Sequence, residues 1–165
     1  MWKVKKSKIH GTGVYATREI KKGIKIIEYI GEKVSRYQGN LRSGKRIREN
    51  IGKLNNGLVY IFELNGKYDI DGSPLYNKAR YINHSCNPNC EVEIENDRIW
   101  IVSLKKIKRN EELTYDYGYE FDKDDYRDHI CKCNSKSCIG FIISSDDWPK
   151  YLKHLKKIIS KRVDA

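Results

Sequence analysis

Three cysteines stand close together near the end of the chain, in the segment CKCNSKSC. Cys131, Cys133 and Cys138 form a C-x-C-x4-C pattern, with turn-forming residues between the last two. Thiolates are common ligands of structural zinc, which takes four ligands in tetrahedral geometry. The pattern therefore predicts a zinc site that recruits a further ligand from elsewhere in the chain.

The further ligand is expected from RYINHSCNPNC, residues 80–90, a segment too polar for a core. Cys86 is the natural candidate, and Cys90 competes with it. Cys90 begins an alternating run in which Val92 and Ile94 share its face, so we interpret it as a small buried side chain. Reduced, unliganded thiols are the alternative to zinc. Disulfides are disfavoured because the N-terminal residues lack the apolar stretch of a secretory signal.

A glycine pair in KIHGTGVYA, residues 8–16, could serve a ligand. Gly11 and Gly13 lie in a turn whose backbone allows close approach and exposes its N–H groups. The pair lacks the third glycine and the βαβ setting of a dinucleotide fingerprint. Taken alone, it is better interpreted as a plain turn.

Short apolar or alternating runs between turn residues predict a mostly β fold. The predicted strands cover residues 23–32, 58–64, 67–72, 90–104 and 112–119. The fourth of these runs is a hairpin that turns at Asn96-Asp97 and has one solvent-facing side. In the last run, ELTYDYGY, the residues Leu113, Tyr115 and Tyr117 lie on one side because strand side chains alternate.

Two segments depart from this pattern. Residues 38–57 are basic, and a faint apolar stripe at helical spacing predicts one helix or a long loop. The stripe consists of Leu41, Ile47, Ile51 and Leu54.

The second segment is the C-terminal tail, where Ser145-Asp146-Asp147 predicts the cap of a helix with Pro149 in its first turn. The apolar stripe of this helix is expected to pack on the domain. The stripe is Trp148, Tyr151, Leu152, Leu155, Ile158 and Ile159, and the opposite face carries Lys150, Lys153, Lys156, Lys157 and Lys161.

The charge of the chain is strongly positive. Among 165 residues, 33 Lys and Arg face 22 Asp and Glu, which gives a formal charge of +11. Such an excess attracts polyanions such as nucleic acid or acidic protein surfaces. No run approaches the roughly 20 apolar residues that a membrane span needs, so we expect a soluble, intracellular protein without a membrane partner.

Several motifs occur together in one order: G-x-G-V-Y-A, E-Y-I-G-E, R-Y-I-N-H-S-C-x-P-N, E-L-T-Y-D-Y and C-x-C-x4-C followed by I-G. Over roughly residues 7–142 the chain resembles the SET-domain protein lysine methyltransferases with a post-SET zinc loop. The resemblance implies a mostly β, β-clip-like fold of several small sheets with a pseudoknot and a short helical insert. It implies a SET domain over 1–127 with the insert at about 38–57, a zinc-stapled post-SET loop over 128–142, and an amphipathic basic helix over 143–165.

The resemblance also implies an S-adenosylmethionine site made from the glycine turn and the polar segment. The implied cofactor residues are His10, Gly11, Thr12, Gly13, Val14, Tyr15, Arg80, Tyr81, Asn83 and His84, and the zinc ligands are Cys86, Cys131, Cys133 and Cys138. For Asn83 and His84 the alternative is a hydrogen-bonded turn that holds the knot without touching the cofactor.

Three tyrosines match the family's catalytic region. Tyr117 matches the active-site tyrosine, Tyr29 is expected in the lysine channel, and Tyr115 stands where relatives carry Phe or Tyr. The accepting lysine must be neutral, and burial beside a sulfonium lowers its pKa. Positioning for in-line displacement would then supply most of the rate. Because the Tyr115 hydroxyl can hold a water in the space that a dimethylated amine needs, we expect mono- or at most dimethylation.

Family members bind an extended peptide as an added strand beside the post-SET loop. Acidic residues crowd the segment that leads into this loop, which predicts recruitment of a lysine-rich histone, chromatin or ribosomal protein. Ordinary solvated charge is the alternative. The acidic residues are Glu111, Glu112, Asp116, Glu120, Asp122, Asp124, Asp125 and Asp128. The basic insert and the C-terminal helix are expected to face nucleic acid.

Two other functions fit parts of the sequence. A catalytically silent SET-like module would bind chromatin or nucleic acid, and a small zinc protein would bind nucleic acid with the other motifs incidental. Methyl transfer is favoured because Tyr117, Asn83, His84 and the glycine turn occur together. The expected location is intracellular, on chromatin in the nucleus if the host is eukaryotic and cytoplasmic otherwise.

Overall fold

The computed structural model describes the backbone of residues 1–50 and 59–163, and the side chains of 1–49 and 59–160. The described chain forms small sheets and two α-helices, as expected. In chain order the elements are β1 (Trp2–Lys6), β2 (Thr12–Ala16), β3 (Lys25–Tyr29), β4 (Glu32–Ser35), α1 (Arg36–Asn50), β5 (Ile61–Glu63), β6 (Tyr68–Asp71), β7 (Asn83–His84), β8 (Cys90–Glu95), β9 (Arg98–Ser103), β10 (Thr114–Tyr115) and α2 (Trp148–Val163).

The predicted hairpin is confirmed as β8 and β9, which pair antiparallel, and β3 adds to the outer side of β9. Asn96 and Asp97 form the turn with φ values of 51° and 58°. A two-residue turn with positive φ at both central residues has a backbone twist that matches the twist of the two flanking strands. Cys90 is buried at the base, but Ile94, on the same face near the turn, is 50% exposed. The apolar face of β8 is therefore buried at the base of the hairpin and becomes exposed toward the turn, whereas Ile99 and Ile101 of β9 stay in the core.

The run predicted as one strand over 23–32 is divided into β3 and β4. The division falls at Gly31, where an added Cβ would lie 2.1 Å from the carbonyl oxygen of Asp71. β4 then pairs with β6, and β5 pairs with the other edge of β6. The chain thus passes at Gly31, where the backbones are in close contact, from the β3–β9–β8 sheet to the β4–β6–β5 sheet.

Helix α1 confirms a helix in the basic insert, although it begins at Arg36. Two residues of its faint apolar stripe, Leu41 and Ile47, are 53% and 45% exposed. Ile51 and Leu54 lie outside the described residues. Arginines face the sheet instead: Arg42 and Arg46 lie 2.8 and 2.9 Å from the carboxylate of the buried Asp71. Ion pairs therefore hold this helix on the β4–β6–β5 sheet.

A parallel crossing joins the middle of the chain to its later part. β7 pairs with β10, with Asn83 opposite Thr114 and His84 opposite Tyr115. The run predicted as a strand over 112–119 is regular only at Thr114 and Tyr115. This crossing corresponds to the pseudoknot that the family resemblance implies.

Helix α2 packs on the preceding loop through a small second core around Tyr126, Ile143 and Tyr151. The predicted apolar stripe is only partly correct, because Leu152 and Ile159 are 49% and 60% exposed. His154 turns inward in their place, with its ring 5.4 Å from that of Phe121 and 5.8 Å from that of Tyr126. The helix is thus rotated relative to the predicted face.

The start of α2 follows a short 3-10 turn over Ser145–Asp147. The Asp147 carboxylate accepts the backbone N–H of Phe121 at 2.8 Å and pairs with Lys150 at 2.5 Å. A negative charge at this end is favourable for the helix dipole. Among the described residues, neither helix is long and apolar enough to span a membrane.

Candidate functional site

A cavity of about 530 Å³ opens beside the β7–β10 crossing. The glycine turn, the polar segment around Asn83 and the tyrosines all contribute to it. The predicted site residues that line it are His10, Gly11, Thr12, Tyr29, Arg80, Tyr81, Asn83, Tyr115 and Tyr117. The two predicted halves of the site therefore share one cavity.

Aromatic rings form a continuous wall of this cavity. Tyr115 and Tyr117 have ring centroids 5.0 Å apart, and Phe62 lies 5.1 Å from Tyr29 and 6.2 Å from Tyr115. Tyr119 extends the wall, 6.0 Å from Tyr117. Such rings can attract a cation through their faces.

Phe62, Tyr119 and Tyr60, which also lines the cavity, were missed by the sequence reasoning. The signal for Tyr119 was available, because it continues the period of two set by Tyr115 and Tyr117. Phe62 and Tyr60 had no comparable signal within a nearly continuous apolar run.

Two tyrosine hydroxyls of the wall are fixed by backbone carbonyls. Tyr117 donates to the carbonyl of Ile82 at 3.0 Å, and Tyr29 donates to that of Tyr60 at 3.0 Å. Burial raises the pKa of Tyr29, Tyr115 and Tyr117 well above its usual value. These phenols therefore remain neutral at physiological pH and can donate hydrogen bonds but cannot act as strong bases.

The glycine turn is held against the cavity by Asn83. Its side-chain nitrogen donates to the carbonyls of His10 and Thr12 at 3.3 and 3.1 Å. Gly11 has a φ of +47°, in the left-handed region that glycine adopts without strain. This arrangement keeps residues 10–12 at the edge of the cavity.

Gly13, Val14 and Tyr15, which were also predicted to bind the cofactor, do not line the cavity. An added Cβ at Gly13 would lie 2.3 Å from a carboxylate oxygen of Glu112, so the close approach here is to protein. Val14 belongs to the main core, and the Tyr15 hydroxyl donates to Glu112 at 2.6 Å. From these positions the three residues can support the glycine turn, but they do not face the cavity.

Arg80 forms a polar part of the wall. Its guanidinium lies 3.9 Å above the ring of Tyr60 and donates to the carbonyl of Ser73. Its buried Nε has no hydrogen-bond partner among the described residues. A buried N–H without a partner is costly, and a bound carboxylate or hydroxyl would satisfy it.

His84 lies behind the cavity wall, outside the lining. Its Nδ1 accepts the backbone N–H of Tyr117 at 3.2 Å, and its Nε2 lies 3.6 Å from the sulfur of Cys86. The alternative expected for Asn83 and His84, a hydrogen-bonded turn that holds the crossing, therefore describes the side chain of His84. Asn83 holds the glycine turn and also lines the cavity.

Four thiol sulfurs, those of Cys86, Cys131, Cys133 and Cys138, lie within 4.8 Å of one another. Cys86 is 3.8 Å from Cys131 and 3.9 Å from Cys138, sulfur to sulfur. Zinc–sulfur bonds of about 2.3 Å in a tetrahedron place the sulfurs about 3.8 Å apart. The hydrogen bond with Cys131 lowers the pKa of Cys86, which favours the thiolate form. The donor set and its spacing fit a zinc ion.

Cys90 lies apart from this group. It is 1% exposed within the main core, and its sulfur is 3.4 Å from the side-chain oxygen of Asn89. Burial raises its pKa to about 12, so it stays a protonated thiol. Its interpretation as a small buried side chain is confirmed.

The chain belongs to the SET-domain family, because the family model of the SET domain matches residues 11–118. Histone-lysine N-methyltransferase 2D of Homo sapiens is 37% identical over 137 residues, which are 81% of this chain and 2% of that protein. An H3 lysine-4 specific histone-lysine N-methyltransferase of Aspergillus oryzae is 38% identical over 141 residues, 83% of this chain and 11% of that protein. The enzyme trr of Drosophila melanogaster, also named a histone-lysine N-methyltransferase, is 39% identical over 137 residues, 81% of this chain and 5% of that protein.

The chain therefore spans about a tenth or less of the length of these relatives. The matched SET region ends before the C-terminal cysteines, at residue 118. The resemblance to SET-domain lysine methyltransferases drawn from the motifs is confirmed.

Proposed function

We propose that this chain transfers a methyl group from S-adenosylmethionine to the ε-amino group of a lysine in a basic protein. The observation that carries the proposal is the single cavity. It brings Gly11 and Asn83, from the cofactor motifs, together with Tyr29 and Tyr117, from the lysine channel.

The cofactor residues fit the proposed ligand. His10, Thr12, Asn83 and Arg80 line the cavity, and the unpartnered Nε of Arg80 offers a donor to its polar groups. S-Adenosylmethionine, when bound, supplies an electrophilic methyl group on a sulfonium. Gly13, Val14, Tyr15 and His84 would hold these residues in place.

The aromatic wall would prepare the accepting lysine. A narrow, buried channel disfavours the ammonium form and lowers the pKa of the lysine. Tyr29 and Tyr117 carry fixed, neutral hydroxyls, so they orient the amine and leave proton removal to water. Orientation within near-attack distance can supply several kcal/mol of the barrier reduction, about 7 or more in favourable cases.

The proposed substrate is the tail of histone H3, because relatives across fungi, flies and mammals carry histone-methyltransferase names and the fungal ones specify H3 lysine 4. Other chromatin or ribosomal proteins share the basic chemistry. We place the enzyme on chromatin if its host is eukaryotic and in the cytoplasm otherwise.

An exposed acidic segment follows the cavity-lining Tyr119 in the sequence, and its charge favours a basic peptide. Asp122, Asp124 and Asp125 are exposed, as are Glu120 and Asp128. The remaining predicted acids have internal partners: Glu112 holds the glycine turn, Glu111 accepts the Asn89 amide, and Asp116 accepts the backbone N–H of Ser145. The recruiting surface is therefore smaller than the sequence indicated.

Contact with nucleic acid is a separate proposal that rests on α2. Lys150, Lys153, Lys156 and Lys157 are exposed along it, whereas Lys161 lies outside the described side chains. Helix α1 offers less positive charge to nucleic acid, because its arginines Arg36, Arg42 and Arg46 are paired with carboxylates of the sheet. If the chain is instead a silent chromatin-binding module, this lysine face would carry its function.

Cofactor-dependent labelling separates these functions. The zinc-loaded chain is incubated with methyl-labelled S-adenosylmethionine and a mixture of lysine-rich proteins, with Tyr117→Phe as the control. Labelled lysine with the parent chain and a large loss with the variant support the enzyme. Cofactor or histone binding without any labelled lysine would support the silent module.

The four cysteines are proposed to bind a structural zinc ion. The expected stoichiometry is one zinc per chain, measured by elemental analysis, and Cys138→Ser should reduce it while Cys90→Ser should leave it unchanged. Loss of zinc from Cys90→Ser instead would contradict the ligand set.

A further inference from the structure

His84 lies between the four cysteines and the active-site tyrosine. Its Nε2 is 3.6 Å from the Cys86 sulfur, and its Nδ1 is 3.2 Å from the backbone nitrogen of Tyr117. The side chain is buried, and its ring packs edge-on against the Tyr117 ring with centroids 5.4 Å apart. One imidazole thus contacts a proposed zinc ligand and a proposed catalytic residue.

These contacts decide which ring nitrogen carries the proton. The backbone N–H of Tyr117 can only donate, so Nδ1 must present its lone pair. The proton of a neutral imidazole is then on Nε2, which faces the Cys86 sulfur. A separation of 3.6 Å suits a hydrogen bond to sulfur, whose radius exceeds that of oxygen.

The nearby carboxylate of Asp116 does not compete for Nδ1. Its Oδ1 lies 3.7 Å from that nitrogen, beyond hydrogen-bond distance, and accepts the backbone N–H of Gly118 at 3.0 Å. Its Oδ2 accepts the backbone N–H of Ser145 at 2.9 Å. Asp116 therefore has its own partners.

We propose that His84 is a positioning residue that couples the cysteine site to the cavity. It donates from Nε2 to the Cys86 thiolate and accepts at Nδ1 from the Tyr117 amide. A change at the metal centre would therefore alter the position of the Tyr117 backbone. Its role at Tyr117 rests on the proposed function, whereas its bond to Cys86 does not.

The coupling has two separable halves. Hydrogen bonds to metal ligands commonly contribute about 10–100-fold to metal affinity. The bond to Tyr117 fixes the backbone segment after β10, from which the tyrosine hydroxyl reaches the carbonyl of Ile82. Losing the first should loosen zinc, and losing the second should slow the reaction without weakening peptide binding.

Two variants test the halves separately in the zinc-loaded full chain. His84→Asn places an amide near the position of Nδ1 but is too short to reach Cys86. His84→Gln reaches toward the sulfur but leaves the position of Nδ1 empty. The first readout is the rate of zinc transfer to an excess of a chromogenic chelator, and the second is the split between kcat and the peptide KM.

We expect His84→Asn to release zinc about 10-fold faster than the parent and to lose less of its kcat than His84→Gln. We expect His84→Gln to release zinc within twofold of the parent rate and to lose about 10-fold in kcat at an unchanged peptide KM. Equal behaviour of the two variants in both readouts, or parent-like zinc release from His84→Asn, would overturn the coupling.

A spectroscopic readout is independent of turnover. Long-range proton–nitrogen NMR of the zinc-loaded chain should show a lone pair on Nδ1 of His84 and the proton on Nε2. A proton on Nδ1 instead overturns the proposal. If the parent chain transfers no methyl group, the proposed function fails, and zinc release and the tautomer still decide the bond to Cys86.

Discussion

The carboxylate of Glu112 lies 2.7 Å from the side-chain nitrogen of Asn83. The same carboxylate accepts the hydroxyl of Ser7 at 2.7 Å and that of Tyr15 at 2.6 Å. It also occupies the space that a side chain at Gly13 would need. One acidic group thus joins the N-terminal strands to the crossing and fixes the turn that edges the cavity.

We therefore predict that Glu112→Gln weakens cofactor binding. A glutamine places a donor where the carboxylate accepted three hydrogen bonds, and leaving such a group unsatisfied costs about 1–3 kcal/mol. The dissociation constant for S-adenosylhomocysteine, measured by calorimetry, should rise about 10-fold. Glu111→Gln is the matched control, because its carboxylate bonds to the Asn89 side chain and the Lys108 N–H, away from the turn. Equal effects of both changes would remove this role for Glu112.

The degree of methylation should depend on Tyr115. Among the described residues its hydroxyl has no hydrogen-bond partner, so it can hold a water in the cavity. Removing the hydroxyl in Tyr115→Phe should free room for a methylated amine and shift the product toward higher methylation, at least doubling the more methylated fraction. Intact mass spectrometry of the peptide measures this. Tyr119→Phe, which keeps the wall ring, is the control, and an identical product distribution in Tyr115→Phe would count against the model of a held water.

The sequence was sufficient for features whose partners are close along the chain. The C-x-C-x4-C spacing brings three thiols together by itself, and Asn96-Asp97 forms its hairpin turn without distant help. The contacts of Glu112 were not predictable in this way, because its partners lie about 30 to 105 residues away. Such pairs form only when the whole fold is complete.

The orientation of helix α1 was also not predictable from its own sequence. The helix carries a faint apolar stripe, but the sheet beside it presents the buried Asp69 and Asp71. Buried carboxylates need paired cations. The arginines of the helix supply them, so Leu41 and Ile47 turn outward. The pattern of apolar residues in a helix carries no information about the charges on the sheet against which the helix packs.

Acidic recruitment of the peptide can be tested by reversing charge. Asp122→Lys, Asp124→Lys and Asp125→Lys together should raise the peptide KM about 10-fold at low salt, with less effect at high salt because screening weakens exposed charges. The cofactor KM should not change. The control reverses Glu91, Glu93 and Glu95, which are exposed on the hairpin. Recruitment by this surface is excluded if both triple variants raise the peptide KM equally.

The Asp71 ion pairs should make stability depend on pH. Burial by itself raises the pKa of Asp71, but the hydrogen bonds from Arg46 and Arg42 outweigh it and hold that pKa well below its usual range. Stability from a depressed carboxyl pKa is present above the unfolded value of about 3.9 and is lost as the pH falls through the folded pKa.

Asp71→Asn should therefore destabilise the chain clearly at pH 7, and the difference from the parent should shrink as the pH falls below about 4. Urea unfolding at several pH values measures both. Asp97→Asn, at an exposed carboxylate that pairs with Lys33, should have little effect. A difference for Asp71→Asn that is constant with pH would contradict the ion-pair account.

The central claim is that cofactor and lysine meet in the cavity at Tyr117. Its most direct test is the initial rate of methyl transfer from S-adenosylmethionine to a histone H3 tail peptide, followed by mass spectrometry, for the parent and Tyr117→Phe. The variant keeps the ring and loses only the hydroxyl that donates to Ile82. We predict measurable transfer by the parent and a rate lower by about 100-fold or more in the variant, with cofactor affinity within twofold. Equal rates in the two proteins would contradict the claim.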